Sequence, residues 1–112
     1  MIRTVIVDDE PLAREVVREF LRADEEFEVI AVCANGFEAV KAVSEHDPDV
    51  LFLDIQMPKL DGFEVLDLVG RDTNVIFATA YDEFALKAFE VHALDYLLKP
   101  FGRDRFQQTL QN

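Results

Sequence analysis

Short apolar runs alternate along this chain with longer stretches in which apolar residues recur every three or four positions. Val5-Ile6-Val7 is a β-branched run closed by Asp8-Asp9, and Phe27 to Val32 is a second run. Val50-Leu51-Phe52-Leu53 is closed by Asp54, and Val75-Ile76-Phe77-Ala78 by Thr79. Leu94 to Leu98 is the fifth and shortest. Near-continuous runs of this length are typical of strands buried on both faces.

The intervening stretches read as helices. Pro11 suits a first helical turn, where a missing N–H costs little. Leu12, Val16, Val17, Phe20 and Leu21 follow it as an apolar stripe. Gly36 precedes a second stripe of Phe37, Ala39, Val40 and Val43, which ends before Pro48. Asp61-Gly62 is a turn signal ahead of Phe63, Val65, Leu66 and Leu68. Phe84, Ala85, Ala88 and Phe89 make a shorter stripe, and Phe106 and Leu110 open a last helix.

Strand–helix alternation predicts the α/β class, with a parallel sheet covered on both faces. Right-handed crossovers wind it in both directions from the centre. The expected architecture is a flavodoxin-like doubly wound sheet of five parallel strands in the order 2-1-3-4-5 with five helices. Periodicity does not itself order the strands, so another small α/β sandwich stays open at this point. There are no internal repeats, low-complexity tracts or linkers, and residues 1–112 read as one domain.

Composition sharpens this picture. Half of the 112 residues are hydrophobic and ten are Phe, enough for a core without staples. The formal net charge is −12, from 11 Lys and Arg against 23 Asp and Glu. Such a surface repels nucleic-acid backbones and anionic membranes, so neither is an expected direct partner. Cys33 is the one cysteine, which excludes an internal disulfide and fits a reducing cytosol. Its apolar neighbourhood, Val29 to Ala34, marks it as a small core residue. No signal-peptide pattern is visible and no apolar run reaches bilayer-spanning length.

In doubly wound sheets, functional groups collect at the carboxyl ends of strands near the switch in strand order. Those ends here carry Asp8-Asp9, Asp54, Thr79 and Lys99-Pro100. In the expected order, strands 1, 3, 4 and 5 are neighbours, so three carboxylates, a hydroxyl and an ammonium converge. Clustered carboxylates repel unless a cation neutralises them, and hard oxygen donors favour magnesium. Asp54 is then a candidate nucleophile toward phosphorus. Lys99 and Thr79 are candidates for binding phosphoryl oxygens. Taken singly, each residue has a plainer role: a helix cap for Asp8 or Asp9, a strand-end hydroxyl for Thr79, a surface charge for Lys99. Their joint placement at successive strand ends favours the site. His46 and His92 fall at no predicted strand end and read as ordinary surface or packing residues.

The Asp8-Asp9 pair, Asp54 with Met57-Pro58 and Asp61-Gly62 after it, Thr79-Ala80 and Lys99-Pro100 together resemble the response-regulator receiver domain of two-component signalling. The resemblance covers nearly the whole chain. It implies that Asp54 accepts a phosphoryl group from a histidine kinase, with Mg2+ held by Asp9, Asp54 and the backbone carbonyl of Gln56, and by Asp8 through water. It also implies a cis Lys99–Pro100 peptide and a switch in which Tyr96 follows Thr79. The stretch Tyr81 to Phe101, YDEFALKAFEVHALDYLLKPF, is similar to receivers of LytTR-type transcription regulators. That likeness implies a cytoplasmic regulator in which a separate C-terminal DNA-binding domain follows, so that residues 1–112 are expected to be an excised receiver. The expected output is homodimerisation through the fourth helix, fifth strand and fifth helix, about Phe84 to Phe106.

Rival functions fit less well. A magnesium-dependent phosphohydrolase needs a second acid two residues past its nucleophile, and that position is Gln56. A non-phosphorylated binding module of this fold is expected to lack an acid, the lysine or the acceptor, and all are present here. A flavin binder needs a phosphate-cradling loop after the first strand; Asp8-Asp9-Glu10-Pro11 is its electrostatic opposite. The chain is therefore expected to be a signalling domain and not an enzyme.

Overall fold

The computed structural model describes residues 1–70 and 72–111. Its elements are β1 (Ile2–Val7), α1 (Pro11–Arg22), β2 (Phe27–Cys33), α2 (Gly36–His46), β3 (Val50–Leu53) and α3 (Gly62–Val69). After these come β4 (Val75–Thr79), a 3-10 turn (Asp82–Phe84), α4 (Ala85–Glu90), β5 (Asp95–Leu98) and α5 (Arg103–Gln111). All pairings are parallel, and the strand order is β2-β1-β3-β4-β5. This is the expected doubly wound sheet.

Period-two alternation divides each central strand between two cores. Val5, Val7, Leu51, Leu53, Val75 and Phe77 pack with Ala39 and Ala42 of α2, Phe63 and Leu66 of α3, and Ala88 of α4. Ile6, Val50, Phe52, Ile76 and Ala78 pack on the other face with Val17 and Leu21 of α1 and Phe106 of α5. Strands sandwiched in this way have no solvent face, which is why they read as unbroken apolar runs. β5 lies at the edge, and there only Leu97 is fully buried.

The helix stripes differ from expectation in their outer members. Leu12 is 81% exposed and Phe89 78%, and Val16, Phe37 and Leu68 are exposed too. The sheet covers only a narrow arc of each helix, so Val17 and Leu21, not Leu12 and Val16, make the seal in α1. Thr79 pairs with Leu98 and is the last residue of β4, at the expected strand end.

Side-chain caps fix the starts of α2 and α3. Asn35 Oδ1 accepts from the Glu38 N–H at the start of α2. Asp61 and Glu64 form a reciprocal capping box at the start of α3. Asp61 thus acts as a cap as well as a turn residue, and the D-x-x-E spacing is its sequence signature. Among the described residues no helix is long and apolar enough to cross a membrane.

Candidate phosphoryl and metal site

Strand register assembles the site. Val7 pairs with Leu53, so Asp8 and Asp54 are the next residues on adjacent strands. The Asp54 N–H donates to the Val7 carbonyl at 3.0 Å, and the Asp8 N–H to the Cys33 carbonyl at 3.1 Å. Thr79 ends β4, and the Lys99 N–H donates to its carbonyl at 2.7 Å. The Lys99–Pro100 peptide is cis.

The side chains converge on Lys99. Its Nζ lies 2.7 Å from Asp8 Oδ2 and 3.8 Å from Asp54 Oδ2. Asp8 and Asp54 are buried and Lys99 is half-buried. Asp8 Oδ1 accepts from the Glu10 N–H at 3.0 Å, and Arg14 donates to the Asp8 carbonyl at 2.8 Å. Asp54 Oδ1 accepts from the Ile55 N–H at 2.8 Å. Thr79 is fully buried, and its hydroxyl accepts from the Tyr81 N–H at 3.3 Å. The Tyr96 hydroxyl donates to the Tyr81 carbonyl, while its ring packs against the core beneath α4. Thr79 and Tyr96 are therefore joined through one residue of the loop after β4.

Charge is poorly balanced in this pocket. Burial, then the nearby Asp8 and to a lesser degree Asp9, pushes Asp54 up to about 7, although Lys99 and the Ile55 N–H work against that rise. Burial lowers the Lys99 pKa, but the hydrogen bond to Asp8 and the charge of Asp54 outweigh it, so the pKa is raised and the group stays cationic. Two buried carboxylates sharing one ammonium leave a deficit of positive charge.

One oxygen from each of Asp8, Asp9 and Glu10 lies within 4.8 Å of the others. Asp9 and Glu10 are exposed, so this donor set opens to solvent. An all-oxygen, water-accessible set beside a charge-deficient carboxylate suits a hydrated hard cation such as magnesium. Glu10 is the member that sequence reasoning passed over as a site residue; its place directly after the Asp pair was the only signal. Gln56 is exposed and shares an open depression with Met57, Pro58 and Asp61. His46 and His92 lie in other parts of the chain: His46 ends α2, 4.0 Å from Glu45, and His92 lies in the turn before β5 with a left-handed backbone.

The family model described as "Response regulator receiver domain" matches residues 4–111. The chain is 50% identical over 112 residues to the transcriptional regulatory protein BtsR of Salmonella typhi, covering 98% of this chain and 47% of that one. It spans about half the length of the curated relatives it matches. Among solved structures, it is similar to the REC domain of AraT, a response regulator from Geobacillus stearothermophilus. That match has 35% identity and a TM-score of 0.88, over 98% of this chain and 90% of that one. It is also similar to a chain of the CheX–CheY–BeF3–Mg complex from Borrelia burgdorferi. Here the identity is 26% and the TM-score 0.88, over 98% of this chain and 87% of that one.

Proposed function

Because the chain belongs to the response regulator receiver domain family, we propose that Asp54 is its phosphoacceptor and that a histidine kinase is the donor. The observation that carries this reading is the placement of the Asp54 carboxylate. It is buried at the carboxyl edge of the sheet, with Lys99 Nζ 3.8 Å from Oδ2. Oδ1 is engaged by the Ile55 N–H, which leaves Oδ2 as the attacking oxygen. It forms the new P–O bond as the P–N bond of a phosphohistidine breaks. The leaving imidazole nitrogen keeps that electron pair.

Asp9, Asp54 and the Gln56 carbonyl would hold Mg2+ directly, with Asp8 acting through water. The cation supplies the missing positive charge that lets carboxylate and phosphoryl oxygens approach. The Borrelia complex combines beryllofluoride and magnesium with a relative of the same fold, which supports the same chemistry here. Lys99 neutralises one phosphoryl oxygen, and the Thr79 hydroxyl donates to another. Drawing Thr79 inward removes the acceptor that now holds the Tyr81 N–H. Tyr81 in turn holds Tyr96, so the loop after β4 carries the signal to β5. The domain works as a signalling switch, with chemistry limited to its own phosphorylation from donors and its own dephosphorylation.

The output follows from the same face. Leu86, Phe89, Leu94 and Leu98 are exposed on α4, β5 and the turn between them. Homodimerisation through α4, β5 and α5 on phosphorylation is the proposed consequence. The linked output is proposed to be a LytTR-type DNA-binding domain in a cytoplasmic transcription regulator. This rests on the similarity of residues 81–101 and on curated relatives that are transcriptional regulatory proteins of about twice the length.

Beryllofluoride titration with Mg2+ tests the reading. A bound 19F resonance is expected for the wild type and none for Asp54→Asn. Light scattering on the same samples should show dimers in the wild type and fewer in Tyr96→Ala. No bound resonance in the wild type would refute the acceptor assignment, and an unchanged dimer in Tyr96→Ala would remove the switch role.

A further inference from the structure

Two glycines are in sterically closed positions against the loop that follows β3. Gly62 opens α3, and its N–H donates to the Ile55 carbonyl at 2.8 Å. A Cβ on Gly62 would lie 2.5 Å from the Asp54 carbonyl oxygen and 3.0 Å from the Ile55 Cα. Gly36 opens α2, and a Cβ there would lie 2.9 Å from the Cβ, Cδ2 and carbonyl oxygen of Leu60. Both glycines are buried, and neither has a positive φ. Space, and not backbone freedom, is what selects glycine at both positions.

The two contacts fall on different parts of the loop. Gly36 meets Leu60, at its far end. Gly62 meets the backbone of Asp54 and Ile55. The Ile55 N–H is the group that holds Asp54 Oδ1 at 2.8 Å; the next peptide carries the Ile55 carbonyl that accepts from Gly62, and the one after it carries the Gln56 carbonyl. The start of α3 is itself held by the Asp61–Glu64 capping box. A fixed helix end therefore presses on the one peptide that aims the acceptor carboxylate.

We propose that Gly62 is a positioning residue for phosphorylation at Asp54: by lacking a side chain it lets the capped start of α3 hold the Asp54–Ile55 peptide, and with it the acceptor carboxylate, in reacting geometry. This rests on the acceptor reading above. A Cβ at position 62 must displace that peptide, because the atoms it meets are backbone. Misplacement of a reacting group by a fraction of an ångström is costly to rate, so a loss of roughly tenfold or more is expected.

The experiment compares wild type, Gly62→Ala, Gly36→Ala and Gly102→Ala. Gly102 is the open control, with nothing within 4 Å of an added Cβ. Three quantities are read for each: urea stability, Mg2+ affinity by NMR titration without phosphodonor, and the rate of adduct formation from acetyl phosphate with Mg2+. Gly62→Ala should lose stability, Mg2+ affinity and rate together. Gly36→Ala should lose stability but, when folded, react close to the wild-type rate. Folded Gly62→Ala with wild-type Mg2+ affinity and rate would overturn the proposal, as would equal rate losses in both variants. If Gly62→Ala does not fold, Asp61→Ala decides, since it frees the start of α3 without adding a Cβ. A several-fold slower rate supports positioning, and an unchanged rate overturns it. No adduct and no beryllofluoride binding in the wild type would instead overturn the acceptor reading beneath it.

Discussion

At the scale of single residues, burial decides which reactive groups are available. Cys33 is buried at the end of β2, and burial, with Glu38 nearby, pushes its thiol up to about 11. A thiol so placed carries almost no thiolate at neutral pH. Cys33 should therefore resist a disulfide reagent at pH 7.5 until urea unfolds the chain; rapid labelling of the folded protein would contradict this. Asp8, Asp54, Thr79 and Lys99 were legible in the sequence because each directly follows or ends an apolar strand run, and register then brings strand ends together. The partners of Thr79 and Tyr96 were not legible. Both bond to Tyr81 backbone groups, and the path of a loop after an interior strand leaves no periodic trace. The packing of Gly62 on the Asp54 carbonyl was hidden for the same reason, behind an Asp-Gly pair that reads as a turn.

At the scale of elements, α5 is tied to β5 by more than apolar contact. Arg105 reaches both Asp95 oxygens at 3.0 and 3.2 Å and the Tyr96 carbonyl at 3.1 Å. The Thr109 hydroxyl donates to Asp95 Oδ2 at 2.6 Å. Phe106 stacks on Phe52 with ring centroids 5.4 Å apart. Burial raises the Asp95 pKa, but hydrogen bonds from Arg105, Thr109 and the Tyr96 N–H outweigh it and hold the group below its usual range. The folded state thus binds fewer protons at Asp95 than the unfolded state does. This contribution is complete above the unfolded value of 3.8 and disappears as pH falls through the folded one. Asp95→Ala should cost about 1–2 kcal/mol in urea at pH 7, after discounting for the partly exposed Arg105. The deficit should shrink near pH 3; a pH-independent deficit would assign the loss to packing alone. The strands were the most legible elements, since two-sided burial leaves unbroken apolar runs. The helix faces were less so. A period of 3.6 groups Leu12 with Val16 and Ala85 with Phe89, but it does not say which residues the sheet will cover.

At the scale of the whole molecule, two apolar cores brace a sheet whose carboxyl edge gathers acidic groups around one lysine. Strand order was expected from the doubly wound pattern, and the observed β2-β1-β3-β4-β5 order puts β1, β3, β4 and β5 side by side. That order places Asp8, Asp54, Thr79 and Lys99 on one edge without any of them being close in sequence. The acidic surface and the exposed apolar residues of α4 and β5 fit a domain that signals through protein partners. The central claim is that this edge accepts a phosphoryl group at Asp54. Intact mass after incubation with acetyl phosphate and Mg2+ tests it most directly, for wild type and Asp54→Asn side by side. The expected result is a single phosphoryl adduct on the wild type that Asp54→Asn and chelation of Mg2+ both abolish. An adduct that persists in Asp54→Asn, or its absence from a wild type that also fails to bind beryllofluoride, would contradict it.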